Sequence, residues 1–472
     1  MERRVNQTEL SEKYPQWLFV VFPALAMLLG WGLRGHIGGG PFGAMIPGAF
    51  VALSLALLLE LPAAATSVLM VFAVFGIGMG GEMTYGQTLG FLRIPETVWW
   101  GTAGTTLKGA VWGLLGGALL SMGFVFERIP KKTTILAILL LFIGMFVGFK
   151  LVNDPRLLYF SDPEKPRPES WAALLFGAIF LLTYLKFKIA IPDFKIIFRF
   201  AFIGMIGGAL GFGLGGFWMV LGSHLPDVIF TNWWKAMEFT FGLLFGASLG
   251  YAAWLNRDAL MKQEKLKLKT ETNNFPPHEE LGIVLITALL VYWLIPNSLE
   301  PFFDSAREST GFFVSVFWEI TRLIVNYSFY GFLFVLLLIR FPKIGWQIGI
   351  TLTFCHTAID LFRDFYPGVN TWSPFTMHFL FVFLMTVVVA LLTVYFSRKE
   401  KATGNLFLLL IWSCILVSML RMTIHPSGLS TSGLSFCEAV CGKYVVDIFF
   451  VVSALVLSFM ISKKFIQNKI ML

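Results

Sequence analysis

Charge is what this chain has least of: 14% of its 472 residues are Asp, Glu, Lys or Arg, against 57% hydrophobic. Polar sequence of any length is missing too. The longest polar interruptions, 153–170 and 256–280, fall well short of the roughly 50 residues a soluble domain needs. Four cysteines are too few for a disulfide framework. Cys355 and Cys414 lie in apolar segments, where a thiol packs as a small hydrophobe. Cys437 and Cys441 lie in a polar loop whose spacing would allow a local disulfide. No His or Cys pair accompanies them at zinc-finger spacing, so no metal site and no cofactor are expected. Walker A, GxGxxG, HExxH and GxSxG patterns are all absent. Without an ATP-binding domain, any transport by this chain runs on an ion gradient or downhill. Met1–Gln16 is polar with mixed charge, so no cleavable signal peptide is expected.

What is present is one apolar stretch after another, with 50 Phe in all and a mean hydropathy of +0.75. Each stretch is near the ~20 residues that cross a ~30 Å hydrocarbon core. The expected fold is an all-α polytopic membrane protein of about 14 transmembrane helices, some broken by glycines. Lys and Arg concentrate in alternate loops, with Arg128, Lys131 and Lys132 in one and Lys186, Lys188, Lys195 and Arg199 in another. Further basic loops carry Arg257 to Lys269, Arg340 with Lys343, Arg398 to Lys401, and Lys463, Lys464 and Lys469. The net charge of +8 is therefore a matter of membrane orientation, not of nucleic-acid binding. The positive-inside rule puts both termini in the cytoplasm, with the chain in the inner (plasma) membrane. The expected partners are membrane lipids and a small-molecule solute; the oligomeric state is left open.

Residues 42–122 return loosely about 134 positions later. Phe42-Gly43-Ala44 matches Phe176-Gly177-Ala178, and Gly78-Met79-Gly80-Gly81 matches Gly213-Leu214-Gly215-Gly216. Pro95-Glu96 before Trp99-Trp100 matches Pro226-Asp227 before Trp233-Trp234. The expected division is a cytoplasmic tail 1–16, repeat one at 17–125, repeat two at 134–255 and a cytoplasmic linker 256–280. A six-span half at 281–463 and a tail at 464–472 complete it. Each repeat holds four helices, an even number, so the two repeats run parallel. Repeats are common in transporters, with the ligand site at the repeat interface.

Ionisable groups inside spans are costly and are candidates for function. The first span ends in Arg34-Gly35-His36, followed by Gly38, Gly39, Gly40 and Pro41. Proline suits the first turn of the next span, and free N–H groups there beside Arg34 and His36 would hold an anion. The third span is expected to be interrupted by Gly76, Gly78, Gly80 and Gly81 just before Glu82-Met83-Thr84-Tyr85-Gly86-Gln87-Thr88, a broken helix and polar run that survive at membrane depth where they line a cavity. Lys108 lies about 13 Å into the fourth span, within range of an ion pair with Glu82. Glu319 and Arg322 share a face of the tenth span, as do His356, Asp360, Arg363 and Asp364 of the eleventh. Arg421 and His425 close the thirteenth.

The first expectation is a secondary transporter of a small, anionic, hydrophilic solute such as a sugar acid. Arg34, His36, Gly39, Gly40, Glu82, Thr84, Tyr85, Gln87, Lys108, Glu319 and Arg322 would bind the solute, and Glu82, His356 and Asp360 would carry the coupling proton. The rival is a membrane-embedded acyl- or glycosyltransferase working on a lipid-linked or surface glycan at the outer face. There His356, Asp360 or His36 would be catalytic, and Arg322, Arg363 and Arg421 would hold a phosphate. Whether the chain is an enzyme stays open on sequence alone.

Overall fold

A computed structural model describes residues 14–225, 232–267, 276–299, 326–365, 378–424 and 430–467. Among the candidates, Glu319, Arg322 and His425 lie outside these residues, as do the side chains of Arg363 and Asp364. The described residues form helices and no strand. Eleven of the helices are long and apolar enough to cross a membrane. They include α1 (Gln16–Ile37), α2 (Gly40–Leu58), α3 (Ala63–Gly80), α5 (Lys131–Asn153), α6 (Trp171–Lys188) and α7 (Ile191–Gly222). Helix α4 (Val98–Val125) also qualifies. So do α9 (Pro277–Ile295), α12 (Leu380–Ser397), α13 (Ala402–Thr423) and α14 (Val445–Ile466). Other helices are shorter or more polar, among them α8 (Trp233–Lys267), α10 (Tyr327–Arg340) and α11 (Thr353–Phe365). The protein is thus an all-α, multi-pass membrane protein.

Six helices form a closed ring in the order α1, α2, α3, α4, α7, α8, each packed on the next and α8 back on α1. The four helices of the first expected repeat thus stand side by side, and α7 and α8 of the second close the ring. Glycines make the ring tight. A Cβ at Gly109, Gly113 or Gly117 of α4 would lie about 2 Å from a backbone oxygen of α7, at Gly208, Gly204 and Phe200 respectively. The pairing runs in opposite directions along the two helices, so α4 and α7 are antiparallel. Gly242, Gly246 and Gly250 of α8 meet the Met27, Pro23 and Phe19 carbonyls of α1 in the same manner. Small residues at four-residue spacing are how helices approach closely in lipid. Glycine contacts of α3 with α4 and of α7 with α8 are antiparallel in the same way, so α7 runs in the direction of α3 and α8 in that of α4.

The middle of the ring is aromatic. Trp31 packs edge-on to Trp112 at 4.9 Å and to Phe241 at 4.4 Å, and Phe212 lies 4.6 Å from Phe241. Trp112 is held by an Nε1–H bond to the Ile77 carbonyl of 2.7 Å. Burial falls outward from this ring: 83% of the apolar window of α2 and of α3 is buried, but only 28% of those of α12 and α14. The exposed stripe Phe198, Phe202, Ile206, Leu210, Leu214 and Phe217 on α7 repeats every three to four residues, and a lipid-facing helix carries such a stripe.

One expectation is corrected here. Glycines 76, 78 and 80 do not interrupt the third span, because they sit under neighbours. A Cβ on each would lie 2.7, 2.3 and 2.1 Å from Leu119, the Tyr327 hydroxyl and the Trp112 ring respectively. The break comes after Gly80, at 81–85, before a short helix Gly86–Gly90. Within the linker expected at 256–280, α8 continues through Lys267 and α9 begins at Pro277.

A candidate functional site where two helix breaks meet

Two of the places where the ring's chain leaves helix are Gly38–Gly39, between α1 and α2, and 81–85, after α3. Gly40 takes φ +62°, a conformation glycine adopts without strain. The two breaks touch, since a Cβ on Gly81 would lie 2.5 Å from Pro41 Cα and 2.8 Å from the Gly40 oxygen. Arg34 ties them together. Its guanidinium donates to the Tyr85 hydroxyl and, at 3.2 Å, to the Gly40 carbonyl. It also lies 5.4 to 5.6 Å from the ring centres of Trp31, Tyr85 and Trp112, where aromatic faces attract a cation. Arg34 is 4% exposed, and its Nε has no hydrogen-bond partner.

Further charges gather at the same end of the bundle. Glu238 accepts from Lys235 at 2.5 Å and from Trp234 Nε1 at 3.0 Å, and Lys235 also donates to the Gly32 carbonyl. The Glu238 carboxylate rests on α1 at Gly35, where a Cβ would stand 2.1 Å from its Oε1. His36 lies 3.3 Å from Asp447 of α14 and accepts from Arg421 of α13. Lys235, Glu238, Arg421 and Asp447 were not in the expected solute-binding set. Asp447 is the one acid in the apolar run 445–461, which was the signal available for it. On the other side of the glycine turn, the Gly39 N–H donates to Asp360 Oδ2 at 3.2 Å. The His356 ring packs 5.4 Å from Phe42 and 6.0 Å from Tyr292. Asp360 thus occupies one of the N–H groups expected to be open to an anion. Gly39 and Gly40 themselves are exposed, with open space where side chains would be.

The rest of the expected set is engaged elsewhere. Lys108 and Glu82 do not pair. The three ammonium donors of Lys108 go to Thr84 O at 2.6 Å, Thr88 Oγ1 at 2.8 Å and Glu169 Oε1 at 2.8 Å. Glu82 instead accepts from the backbone N–H and hydroxyl of Ser328, at 2.8 and 3.0 Å, at the start of α10. A carboxylate at a helix N-terminus satisfies an orphan donor and complements the dipole. Thr84 donates to Pro168 O, and Gln87 both donates to Lys165 O and accepts from Asp162 N. Segment 154–170 is therefore strapped over the second break, with Glu169 and Lys108 buried at its base. Sequence spacing could not show this, because the strap joins residues some 60 to 90 positions apart.

Compared with known protein families, characterised proteins and solved structures, the chain matches none. Among the described residues, no group of three or more His, Cys, Asp or Glu is placed to hold a metal ion. Chemically, Arg34 at the open glycine turn, with Lys235 and Arg421 nearby on α8 and α13, is the kind of cationic group that binds an anion by charge-assisted hydrogen bonds.

Proposed function

We propose that this protein is a secondary transporter of a small anionic solute, a sugar acid or other carboxylate, in the inner (plasma) membrane. The observation that carries the reading is the meeting of two helix breaks bridged by Arg34. Broken membrane helices place backbone polar groups and helix ends at a ligand, and such breaks recur in secondary transporters. The solute reaches Arg34, Lys235 and Arg421 through the open turn at Gly39–Gly40, with Tyr85 and His36 beside it. The basic loops lie at the opposite end, which supports cytoplasmic termini and a site that opens outward.

The test is thermal stabilisation of the detergent-purified protein by two panels of compounds. One holds gluconate, glucuronate and short carboxylates; the other holds lipid-linked and activated sugar or acyl donors. A ligand at one hundred times its Kd stabilises the folded state by about 2.7 kcal/mol. Stabilisation by the soluble anions, abolished in Arg34→Gln while the unliganded melting temperature stays near that of the parent, is the expected outcome. Stabilisation by the donors alone would replace the transporter with a transferase.

A further inference from the structure

We infer that Glu82 binds a coupling proton, which the protein takes up together with its anion; this rests on the anion-site reading above. Among the described residues, Glu169, Asp193, Glu238, Glu280 and Asp447 each have a basic side chain at 3.3 Å or less. Glu82 has none. Its Oε1 accepts the backbone N–H and the hydroxyl of Ser328, and no basic group is in electrostatic range of it. A carboxylate drawn out of water without a countercharge holds a proton more readily than one in water. Glu82 is half-buried, so a proton from solvent reaches it. That proton bonds to Oε2, which takes no part in the bonds to Ser328.

Proton and anion act on one short segment, the break at 81–85. Through Glu82 it is held to the first turn of α10, and through Tyr85 to Arg34. Ionised, Glu82 caps α10 with two charge-assisted bonds; protonated, it is a neutral acceptor whose bonds are about half as strong. Arg34 is 4% exposed, and its guanidinium is closed in by Tyr85 and Gly40. An anion that reaches it takes the place of one of these acceptors. Proton and anion each loosen the hold on 81–85, so each favours the other's binding, and the coupling is reciprocal. Few charged or titratable groups face Glu82 from the surrounding elements. Tyr327 of α10 is in electrostatic range. Lys108 of α4 and Glu169 of the strap are paired with each other, and Ser170 beside them donates to the Glu82 carbonyl. Arg34 of α1 is turned to Tyr85, α5 presents Met145 to Ser328, and α3 carries no titratable group.

The experiment is titration calorimetry on the purified full-length protein with gluconate and with glucuronate, both of which stay ionised above about pH 5. Repeating each titration in two buffers of different ionisation heat, from about pH 5 to about pH 9, counts the protons taken up. At a pH where unliganded Glu82 is ionised, uptake approaching one proton per anion is expected, with affinity falling by up to about tenfold per pH unit. In Glu82→Gln both the uptake and the slope disappear. Ser328→Ala removes a donor to the ionised form, so the fall in affinity begins at a higher pH than in the parent. Binding with no proton uptake anywhere in this range, or a slope that survives in Glu82→Gln, overturns the proton site and leaves the anion site standing. If neither anion binds, the anion-site reading falls and the proton site with it. Where Glu82→Gln fails to fold, Ser328→Ala decides, and an onset that does not move overturns Glu82 as the site.

Discussion

Lys108 shows how a single side chain can be necessary without touching a ligand. Its ammonium spends all three donors on Thr84, Thr88 and Glu169, and both members of the Lys108–Glu169 pair are 1% exposed at the side chain. Removing one partner of a buried pair strands the other charge and costs about 3–5 kcal/mol, whereas removing both often costs less. Lys108→Met should therefore lower the melting temperature more than the double change Lys108→Met, Glu169→Gln. Adding Glu82→Gln to Lys108→Met should bring no such rescue, and rescue by Glu82→Gln would restore the pairing that the sequence alone suggested. The presence of a buried lysine and a nearby acid was legible in the sequence, but which acid was not. Glu82 and Glu169 are both near enough in chain order to serve, and only the path of 154–170 over the helix break decides between them.

Glycine patterns act at the level of helices. The four-residue spacing of Gly109, Gly113 and Gly117 on α4 and of Gly242, Gly246 and Gly250 on α8 marks faces where backbones meet. Pro23 of α1 lacks the N–H that would bond the Phe19 carbonyl, and it is there that Gly250 of α8 approaches. In Gly113→Ala the new Cβ would lie 1.9 Å from the Gly204 oxygen, forcing α4 and α7 apart at a cost of about 1–3 kcal/mol. Gly282→Ala on α9, with nothing within 4 Å of its Cβ, should leave the melting temperature unchanged or slightly raised. Equal effects of the two would mean that the ring tolerates separation of α4 from α7. The sequence marked glycine as important but gave it the wrong task in α3, where Gly76, Gly78 and Gly80 admit side chains from other helices and do not break their own.

Across the whole molecule, polarity separates end to end. The basic loops come together at one end, where Arg128 pairs with Asp193 at 2.8 Å, Arg398 with Glu280 at 3.0 Å, and Lys131 reaches Ile339 O. The Arg34, His36, Lys235 and Asp447 cluster lies at the other. Cys437 and Cys441 belong to that second end and are exposed, with their sulfurs 4.0 Å apart as free thiols, while Cys355 and Cys414 are buried. A membrane-impermeant maleimide applied to intact cells should label the protein, and Cys437→Ser with Cys441→Ser should abolish the labelling. Labelling only after lysis would reverse the proposed orientation.

Composition and hydropathy by themselves determined that this chain is a multi-pass bundle of helices, because a backbone in hydrocarbon has to satisfy its own hydrogen bonds within each span. They also brought Arg34, His36, Tyr85 and Asp360 forward, since ionisable and polar groups at membrane depth are few. The tertiary structure alone decided that α1, α2, α3, α4, α7 and α8 close into one ring, that Arg34 joins two helix breaks, and that Arg421 and Asp447 meet His36 from about 400 residues away in the chain. Apolar periodicity says which faces avoid water, but in a membrane nearly every face does. Partner choice is then set by glycine-permitted approach and by the few charges that must find one another.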